Sequence, residues 1–265
     1  MQKGKMATES RKLLGIRVDR TSYPDAANRV IAWAREESSR YVCVAPVSSV
    51  MEAYDDLRFE QIINAAALVT PDGVPVVWAL RLLGLQNATR VYGPDLTLEV
   101  LRIAEREGIP VGFYGAEALV LERLLSVLAH RFPLLKIAYA FSPPFRPLSS
   151  EEDADVVEEV GRSGARILFV GIGSPKQEYW MAAHQGCIQG VMIGVGAAFD
   201  FLAGTKPQAP RWMMRIGMEW FFRLATEPRR LWKRYLKQNP RYVVFFILQL
   251  LRWKSAQPQA ATPIE

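Results

Sequence analysis

Six short apolar runs, separated by amphipathic segments, are the feature that most constrains the fold of this chain. The runs lack the strict alternation of apolar and polar residues that marks a half-exposed strand, so they predict strands covered on both faces. They are Tyr41–Ala45, Ala67–Thr70, Val111–Tyr114, Ile137–Phe141, Ile167–Val170 and Val191–Val195. Alternation of such strands with helices predicts an α/β domain with a mainly parallel sheet and helices on both of its faces.

The segments between the runs carry helix signals. Ser22 has the residue type of a helix cap, Pro94 opens a second helix, and Glu117–Phe132 and Ser150–Arg162 complete the pattern. Parallel sheets bind ligands at the carboxyl ends of their strands, so functional residues are expected in the loops that follow the runs.

The charge divides the chain into a nearly neutral body and a basic tail. The formal net charge is +6, and twelve Lys and Arg face only two acids between residues 205 and 254. We therefore predict an α/β catalytic domain over 1–204, a basic amphipathic appendage over 205–254 and a disordered tail over 255–265. A segment this basic indicates an anionic partner, which is membrane lipid, a diphosphate or nucleic acid.

The appendage interleaves Arg with Trp, Phe and Tyr over 211–242, which predicts amphipathic helices broken near Pro228 and Pro240. The apolar run VVFFILQLLRW that follows is too short to span a bilayer but can lie at its interface. The alternative is a non-catalytic α/β module that binds nucleic acid or an acidic partner through aromatic and basic side chains. The apolar run favours a lipid surface over nucleic acid. The first residues lack the long apolar run of a secretory signal, so we expect none there.

Asp72, in the turn TPDG, is the strongest candidate for a general base, because a carboxylate directly after a buried strand can face a cleft. The alternative is a turn aspartate that binds its own backbone. Arg81 and Arg90 follow closely, and each either binds a diphosphate or is a surface charge.

A first glycine-rich turn, GIGSPKQE, follows a predicted strand and is a candidate phosphate site. Gly171, Gly173 and Ser174 precede a helix whose first N–H groups can bind a phosphate. Lys176 stands where the dinucleotide fingerprint requires a third glycine, which disfavours a nicotinamide cofactor. The alternative is an ordinary strand–helix turn, although Gln177 is not a typical turn residue.

A second glycine-rich turn, GVGAAFD, follows the last predicted strand. Gly194 and Gly196 permit close approach to the backbone. Asp200 either faces the ligand or caps a helix.

The sequence offers little for a metal ion. Two Cys and two His argue against a disulfide scaffold and a histidine-rich metal centre. Asp153 and Asp155 form the Asp-x-Asp triplet with which many glycosyltransferases hold a metal, but acids that follow Ser149 are typical of a helix start. His130 and His184 have no ligand residue at suitable spacing, so we expect structural or surface roles for them. We therefore expect no metal and no other cofactor.

From about residue 40 to 242 the chain resembles the WecG/TagA/CpsF family of bacterial glycosyltransferases. The resemblance is carried, in order, by TPDGVPVVWALRLLG, RVYGPDL, FYGA, YAFSPPFRPL, GIGSPKQEYWM and the long segment 194–235. It implies a Rossmann-like domain with a C-terminal appendage at the cytoplasmic face of the cell membrane. It also implies inverting transfer of a sugar (N-acetylmannosamine, glucose or a related hexose) from a UDP-sugar to a polyprenyl-diphosphate-linked acceptor, in cell-surface polysaccharide or teichoic-acid synthesis. Nucleic acid is then not a partner, and a homo-oligomer stays open.

The resemblance also implies roles for particular residues. Asp72 matches the family's general base, and Arg90 and Gln177 match other active-site positions. Asp200 matches the aspartate of the family's GxGAAFD motif. Two appendage arginines, Arg223 and Arg230, match residues that are thought to reach the diphosphate.

The first loop departs from the family pattern. Pro46 stands where the family usually carries Asn, and Ser48 stands where it carries an acid or His. Proline offers neither an N–H nor a side-chain hydrogen bond. The departure implies altered donor recognition, weakened activity or a degenerate paralogue.

Overall fold

A two-stranded hairpin and a six-stranded sheet contain the strands of residues 9–256, the part of the chain that this computed structural model describes. The antiparallel hairpin is formed by β1 (Ser10–Leu13) and β2 (Ile16–Asp19). The sheet has the order β4-β3-β8-β7-β5-β6, and all its pairs are parallel. Its strands are β3 (Arg40–Ala45), β4 (Leu68–Pro71), β5 (Val111–Gly115), β6 (Ile137–Phe141), β7 (Ile167–Gly171) and β8 (Val191–Gly194). The α/β prediction and the six predicted strands are confirmed.

Within residues 9–204, nine helices cover both faces of the sheet. They are α1 (Tyr23–Arg35), α2 (Val47–Asp55), α3 (Leu57–Ala65), α4 (Val74–Leu82), α5 (Gly93–Glu107), α6 (Ala118–Arg131), α7 (Ser150–Ser163), α8 (Lys176–Ala183) and α9 (Ala198–Leu202). One core holds side chains of α1, α5, α6 and α9, and the other holds those of α2, α3, α4, α7, α8 and the hairpin. Along β3, Tyr41 and Cys43 face one core, whereas Val42 and Val44 face the other. Burial on both faces explains why this strand is a continuous apolar run.

The predicted helix starts are present. The Ser22 hydroxyl accepts a hydrogen bond from the Asp25 N–H at 3.3 Å at the start of α1. Ser149 and Glu152 form a reciprocal capping box at the start of α7. Such caps contribute about 1 kcal/mol each, because they satisfy N–H groups that have no partner within the helix.

The hairpin is the main element that the sequence analysis missed. Its strands, SRKL and IRVD, contain charged residues and therefore form no apolar run. Leu13, Ile16 and Val18 are fully buried, and the Asp19 carboxylate accepts a hydrogen bond from the Val69 N–H at 2.8 Å. The hairpin therefore closes one end of the core beside β4.

The appendage consists of α10 (Arg211–Arg215), α11 (Glu219–Thr226) and the long α12 (Pro228–Ala256). The predicted break at Pro228 is confirmed, but the one at Pro240 is wrong, because α12 continues through it. A proline inside a helix costs about 3 kcal/mol. Contacts with the body directly after it offset this cost: Arg241 pairs with Asp55 at 2.6 Å, and Tyr242 is buried in the core.

The end of α12 is also held on the body. The Gln249 amide donates to the Lys12 carbonyl at 2.7 Å and accepts from the Leu14 N–H at 2.9 Å. Of the tail for which we expect disorder, residues 255 and 256 end α12, and 257–265 lie outside the described residues. Within the described chain, no helix has both the length and the apolar character needed to cross a membrane.

Candidate active site

A cleft of about 660 Å³ lies between the carboxyl ends of β3 and β4 and the appendage. The body contributes Asp72, Arg90 and the first loop, with Pro46 and Ser48. The appendage contributes the opposite wall, which is largely aromatic and aliphatic and includes Glu219, Arg223, Trp220, Trp232, Tyr235, Leu236 and Val243. The appendage is therefore part of the cleft and not a separate tail.

Asp72 and Arg90 form an ion pair at the floor of the cleft. Arg90 Nε and Nη2 both donate to Asp72 Oδ1, at 3.2 and 3.1 Å, and no donor among residues 9–256 is bonded to Oδ2. Both side chains are mostly buried, with 16% and 17% of their surface exposed. The carboxylate binds Arg90 rather than neighbouring backbone, so the turn-aspartate alternative is wrong, as is the surface alternative for Arg90. Arg81 lies apart, exposed, with Nε on the Ala88 carbonyl.

Glu219, the first residue of α11, is a third charged residue in the cleft, and it was not identified from the sequence. Its Oε2 accepts a hydrogen bond from Arg90 Nη2 at 2.5 Å, and only 14% of its side chain is exposed. Arg223 Nη1 lies 4.0 Å from the same carboxylate, and the Arg223 guanidinium lies over the Phe201 ring. The cleft thus holds two acids and two arginines in contact, drawn from both the body and the appendage.

The charges around Asp72 have opposing effects on its pKa. Burial raises the pKa of Asp72 and Arg90 opposes the rise, whereas the negative charge of Glu219 adds to it. The net result is a pKa above the ordinary value of an aspartate. Burial alone lowers the pKa of Arg90, but Asp72 and Glu219 more than offset this, so Arg90 stays protonated.

Gln177 and the turn after β8 form a second group of candidates. Gln177 is buried; its Oε1 accepts from the Gly196 N–H at 3.0 Å, and its Nε2 donates to Glu178 Oε1 at 2.9 Å. A Cβ on Gly194 would lie 2.9 Å from Gln177 Nε2, so only glycine fits there without a shift. Burial raises the pKa of the Glu178 carboxyl. The Gln177 amide thus links α8 to the turn after β8 by a hydrogen bond.

The turn after β7 holds the other candidate phosphate ligands. A Cβ on Gly171 would lie 2.7 Å from the Phe199 ring, and Gly173 has a φ of +86° that favours glycine. The Gln177 N–H already donates to the Gly173 carbonyl at 2.9 Å, so it is not free for a phosphate. Ser174 directly precedes Pro175, the N-cap residue of α8. Lys176 opens α8 with its Nζ 5.4 Å from the centre of the Phe145 ring. None of these turn residues lines the 660 Å³ cleft.

The remaining candidates are Asp200 and the appendage arginines Arg223 and Arg230, and they lie in different surroundings. Asp200 pairs with Lys206 at 2.9 Å, and the N-cap of α9 is Ala197, so the capping alternative for Asp200 is wrong. Arg230 is half-exposed, pairs with Glu227 at 2.7 Å and does not line the cleft. Of the two appendage arginines, only Arg223 is placed beside Asp72 and Arg90.

The Asp-x-Asp triplet lies in the first turns of α7, as expected. Asp153 accepts from Trp180 Nε1 at 3.1 Å and contacts His184 Nε2 at 3.0 Å, while Asp155 is exposed. His184 is buried and structural, and His130 is exposed. Over residues 9–256, no three His, Cys, Asp or Glu side chains converge as a metal site.

The unusual first loop forms the start of α2. Pro46 is the N-cap residue, and its carbonyl accepts a hydrogen bond from the Ser49 N–H at 3.0 Å. Ser48 lines the cleft, and the buried Ser49 hydroxyl has no hydrogen-bond partner within the described chain. The loop therefore presents a proline ring and a short hydroxyl to the cleft.

The fold is an α/β domain whose cleft lies at the carboxyl edge of a parallel sheet, beneath a helical appendage. The model of the glycosyl transferase WecG/TagA/CpsF family matches residues 11–256, so the chain belongs to that family and is a glycosyltransferase. Two relatives share the name N-acetylglucosaminyldiphosphoundecaprenol N-acetyl-beta-D-mannosaminyltransferase. The one from Bacillus spizizenii W23 is 29% identical over 209 residues, covering 78% of this chain and 79% of the relative. The one from Bacillus subtilis 168 is 29% identical over 208 residues and covers 78% of each.

Proposed function

We propose that this enzyme transfers a sugar from a UDP-sugar to an acceptor sugar that is linked to a polyprenyl diphosphate. The observation that carries the proposal is the Asp72–Arg90 pair at the floor of a cleft shared by body and appendage. The names of the two relatives support the lipid-linked acceptor and make N-acetylmannosamine the first sugar to test, ahead of glucose and other hexoses.

Asp72 supplies the base that the transfer needs. The acceptor hydroxyl oxygen attacks the anomeric carbon, its proton passes to Asp72 Oδ2, and the bond from carbon to the diphosphate oxygen breaks. The bonding electron pair leaves with UDP, and attack from the opposite face inverts the anomeric centre. A carboxylate with a raised pKa accepts a proton more readily than an ordinary aspartate.

Cationic side chains stabilise the departing diphosphate. Arg90 and Arg223 are held in the cleft by Glu219 and by aromatic rings, so they need little rearrangement when negative charge develops. The glycine turns after β7 and β8 lie at the same edge of the sheet, where the absence of side chains on their glycines lets the donor approach the backbone. The reaction then requires no metal ion.

The appendage also presents a surface suited to a membrane. Its exposed side chains include Trp212, Ile216, Phe221 and Leu251, each more than half exposed, interspersed with arginines and lysines. Apolar side chains at an interface and basic residues over anionic lipid both favour peripheral binding. We assign the enzyme to the cytoplasmic face of the cell membrane, where nucleotide sugars are available. The exposed apolar side chains oppose the nucleic-acid alternative.

The retained charged cluster argues against a degenerate paralogue. Asp72 pairs with Arg90, and Glu219 contacts both Arg90 and Arg223, although Pro46 and Ser48 replace the family's usual first-loop residues. The changed loop lines the cleft, so it affects which donor is accepted rather than whether the base is in place.

The test is a screen of UDP-sugars against a short-chain polyprenyl-diphosphate-linked N-acetylglucosamine, read by mass spectrometry. The expected result is one product with the mass of a single added sugar, formed by the wild-type enzyme and strongly reduced in Asp72→Asn. Absence of product with every donor, at enzyme concentrations that exceed the acceptor, would contradict the proposal.

A further inference from the structure

We propose that Glu219 is a positioning residue, which holds Arg90 on one oxygen of Asp72 and leaves the other oxygen free to take the proton. Because Glu219 belongs to the appendage, the base is then in its competent state only when the appendage covers the cleft. The inference rests on the proposed function, since it takes Asp72 as the base of the transfer.

The geometry of Arg90 is the first argument. Its Nη2 contacts Glu219 Oε2 at 2.5 Å and Asp72 Oδ1 at 3.1 Å, so one nitrogen bridges the two carboxylates. An arginine paired with a single carboxylate commonly donates two parallel hydrogen bonds, one to each oxygen. Here both bonds from Arg90 go to Oδ1. Glu219 thus engages the nitrogen that could otherwise turn toward Oδ2.

The charge balance is the second argument. The groups that face Asp72 are Arg90 from the loop before α5, Glu219 and Arg223 from α11, and more distantly the phenols of Tyr23 and Tyr92. With Glu219 present, two carboxylates balance two guanidinium groups. Without it, Asp72 faces two arginines alone. Two uncompensated positive charges stabilise the ionised carboxylate and make it a weaker base.

Closure of the appendage is the third argument. Any movement that withdraws α11 removes Glu219 and Arg223 from Asp72 together, because both lie on that helix. The donor would then meet a base whose second oxygen is paired with Arg90, in a cleft open to water. Coupling the base to closure in this way limits hydrolysis of the donor before the acceptor is enclosed.

The competing interpretation is that Glu219 occupies the place of a diphosphate on Arg90 and is displaced when substrate binds. The two interpretations predict different effects of Glu219→Gln. If Glu219 positions Arg90, removal of its charge lowers kcat. If Glu219 is displaced by substrate, removal of its charge lowers the KM for the donor and leaves kcat unchanged or higher.

The first measurement needs no turnover. Protein labelled with ¹³C at aspartate carboxyls is titrated by NMR, and the Asp72 signal is assigned by its loss in Asp72→Asn. We expect Glu219→Gln to lower the pKa of Asp72, because it removes the negative charge that raises it. The matched control is Glu227→Gln, which removes the other appendage acid; that acid pairs with Arg230 outside the cleft and should not alter the Asp72 titration. Equal titrations in wild type and Glu219→Gln would overturn the inference.

The second measurement is the pH dependence of kcat with the donor found in the screen. For Glu219→Gln we expect the acidic limb of the kcat profile to move to lower pH. The plateau value of kcat should fall by up to about 100-fold, as for a misplaced reacting group. In Glu219→Asp, which keeps the charge on a shorter side chain, the acidic limb should lie closer to its wild-type pH. An unchanged kcat with a lower KM would overturn the inference in favour of the displaced occupant. If wild type turns over no donor, the proposed function fails, and the NMR titration still decides the coupling.

Discussion

The side chain of Phe246 is expected to hold the appendage on the body, and its removal should lower global stability. Phe246 is 8% exposed and belongs to the same core cluster as α2 and α4, whereas its neighbour Ile247 is 49% exposed. A buried Phe→Ala change costs about 3–5 kcal/mol, and the partial exposure places Phe246→Ala near the lower end, at about 3 kcal/mol. For a chain of this size that corresponds to a loss of roughly 6–12 °C in Tm.

Urea denaturation followed by tryptophan fluorescence measures the effect, with Ile247→Ala as the matched control. That control removes a half-exposed side chain from the same turn of α12 and should cost roughly 1 kcal/mol or less. In a vesicle-binding assay the order should reverse, with Ile247→Ala the weaker binder. Equal destabilisation by the two variants would refute the docking of α12 against the body and, with it, the closed cleft.

Turnover is expected to survive exhaustive chelation, because Asp153 is engaged by Trp180 and His184; activity restored only by Mn²⁺ or Mg²⁺, and abolished in Asp153→Ala, would contradict this. A double change of the exposed Trp212 and Phe221 to Ala should weaken binding to anionic vesicles and leave turnover of a water-soluble acceptor unchanged. An equal loss in both assays would show that these side chains build the cleft. The kcat should fall as pH falls through the pKa of Asp72, since only the ionised carboxylate accepts a proton, and that fall should lie above the ordinary aspartate range. An acidic limb at or below that range would contradict the raised pKa.

The sheet could be predicted because five of the six strands described for it are buried on both faces and therefore contain uninterrupted runs of apolar residues. The edge strand β6 is only partly buried, but its sequence IAYAF is still an apolar run. The hairpin β1–β2 could not be predicted, since its strands SRKL and IRVD contain charged residues and form no apolar run. The continuity of α12 through Pro240 also escaped prediction. It depends on contacts with distant residues such as Asp55, which local propensity does not contain.

The site was predictable in part. Asp72 directly follows β4, Arg90 lies 18 positions later in the loop before α5, and each is in a motif that carries the family resemblance. Glu219 lies 129 positions from Arg90, and its only local signal is that of an acid among many cations. The resemblance gives Arg223 and Arg230 the same weight. Tertiary structure separates them, because Arg223 lines the cleft and Arg230 does not.

The most direct test of the central claim is the turnover of Asp72→Asn on a verified UDP-sugar and lipid-linked acceptor. Asparagine keeps the shape of the side chain but cannot accept the proton of the acceptor hydroxyl. We expect an unchanged fold and a kcat lower by about 100- to 10,000-fold, the usual loss when a general base is removed. Near-native turnover by this variant would show that the base is another group.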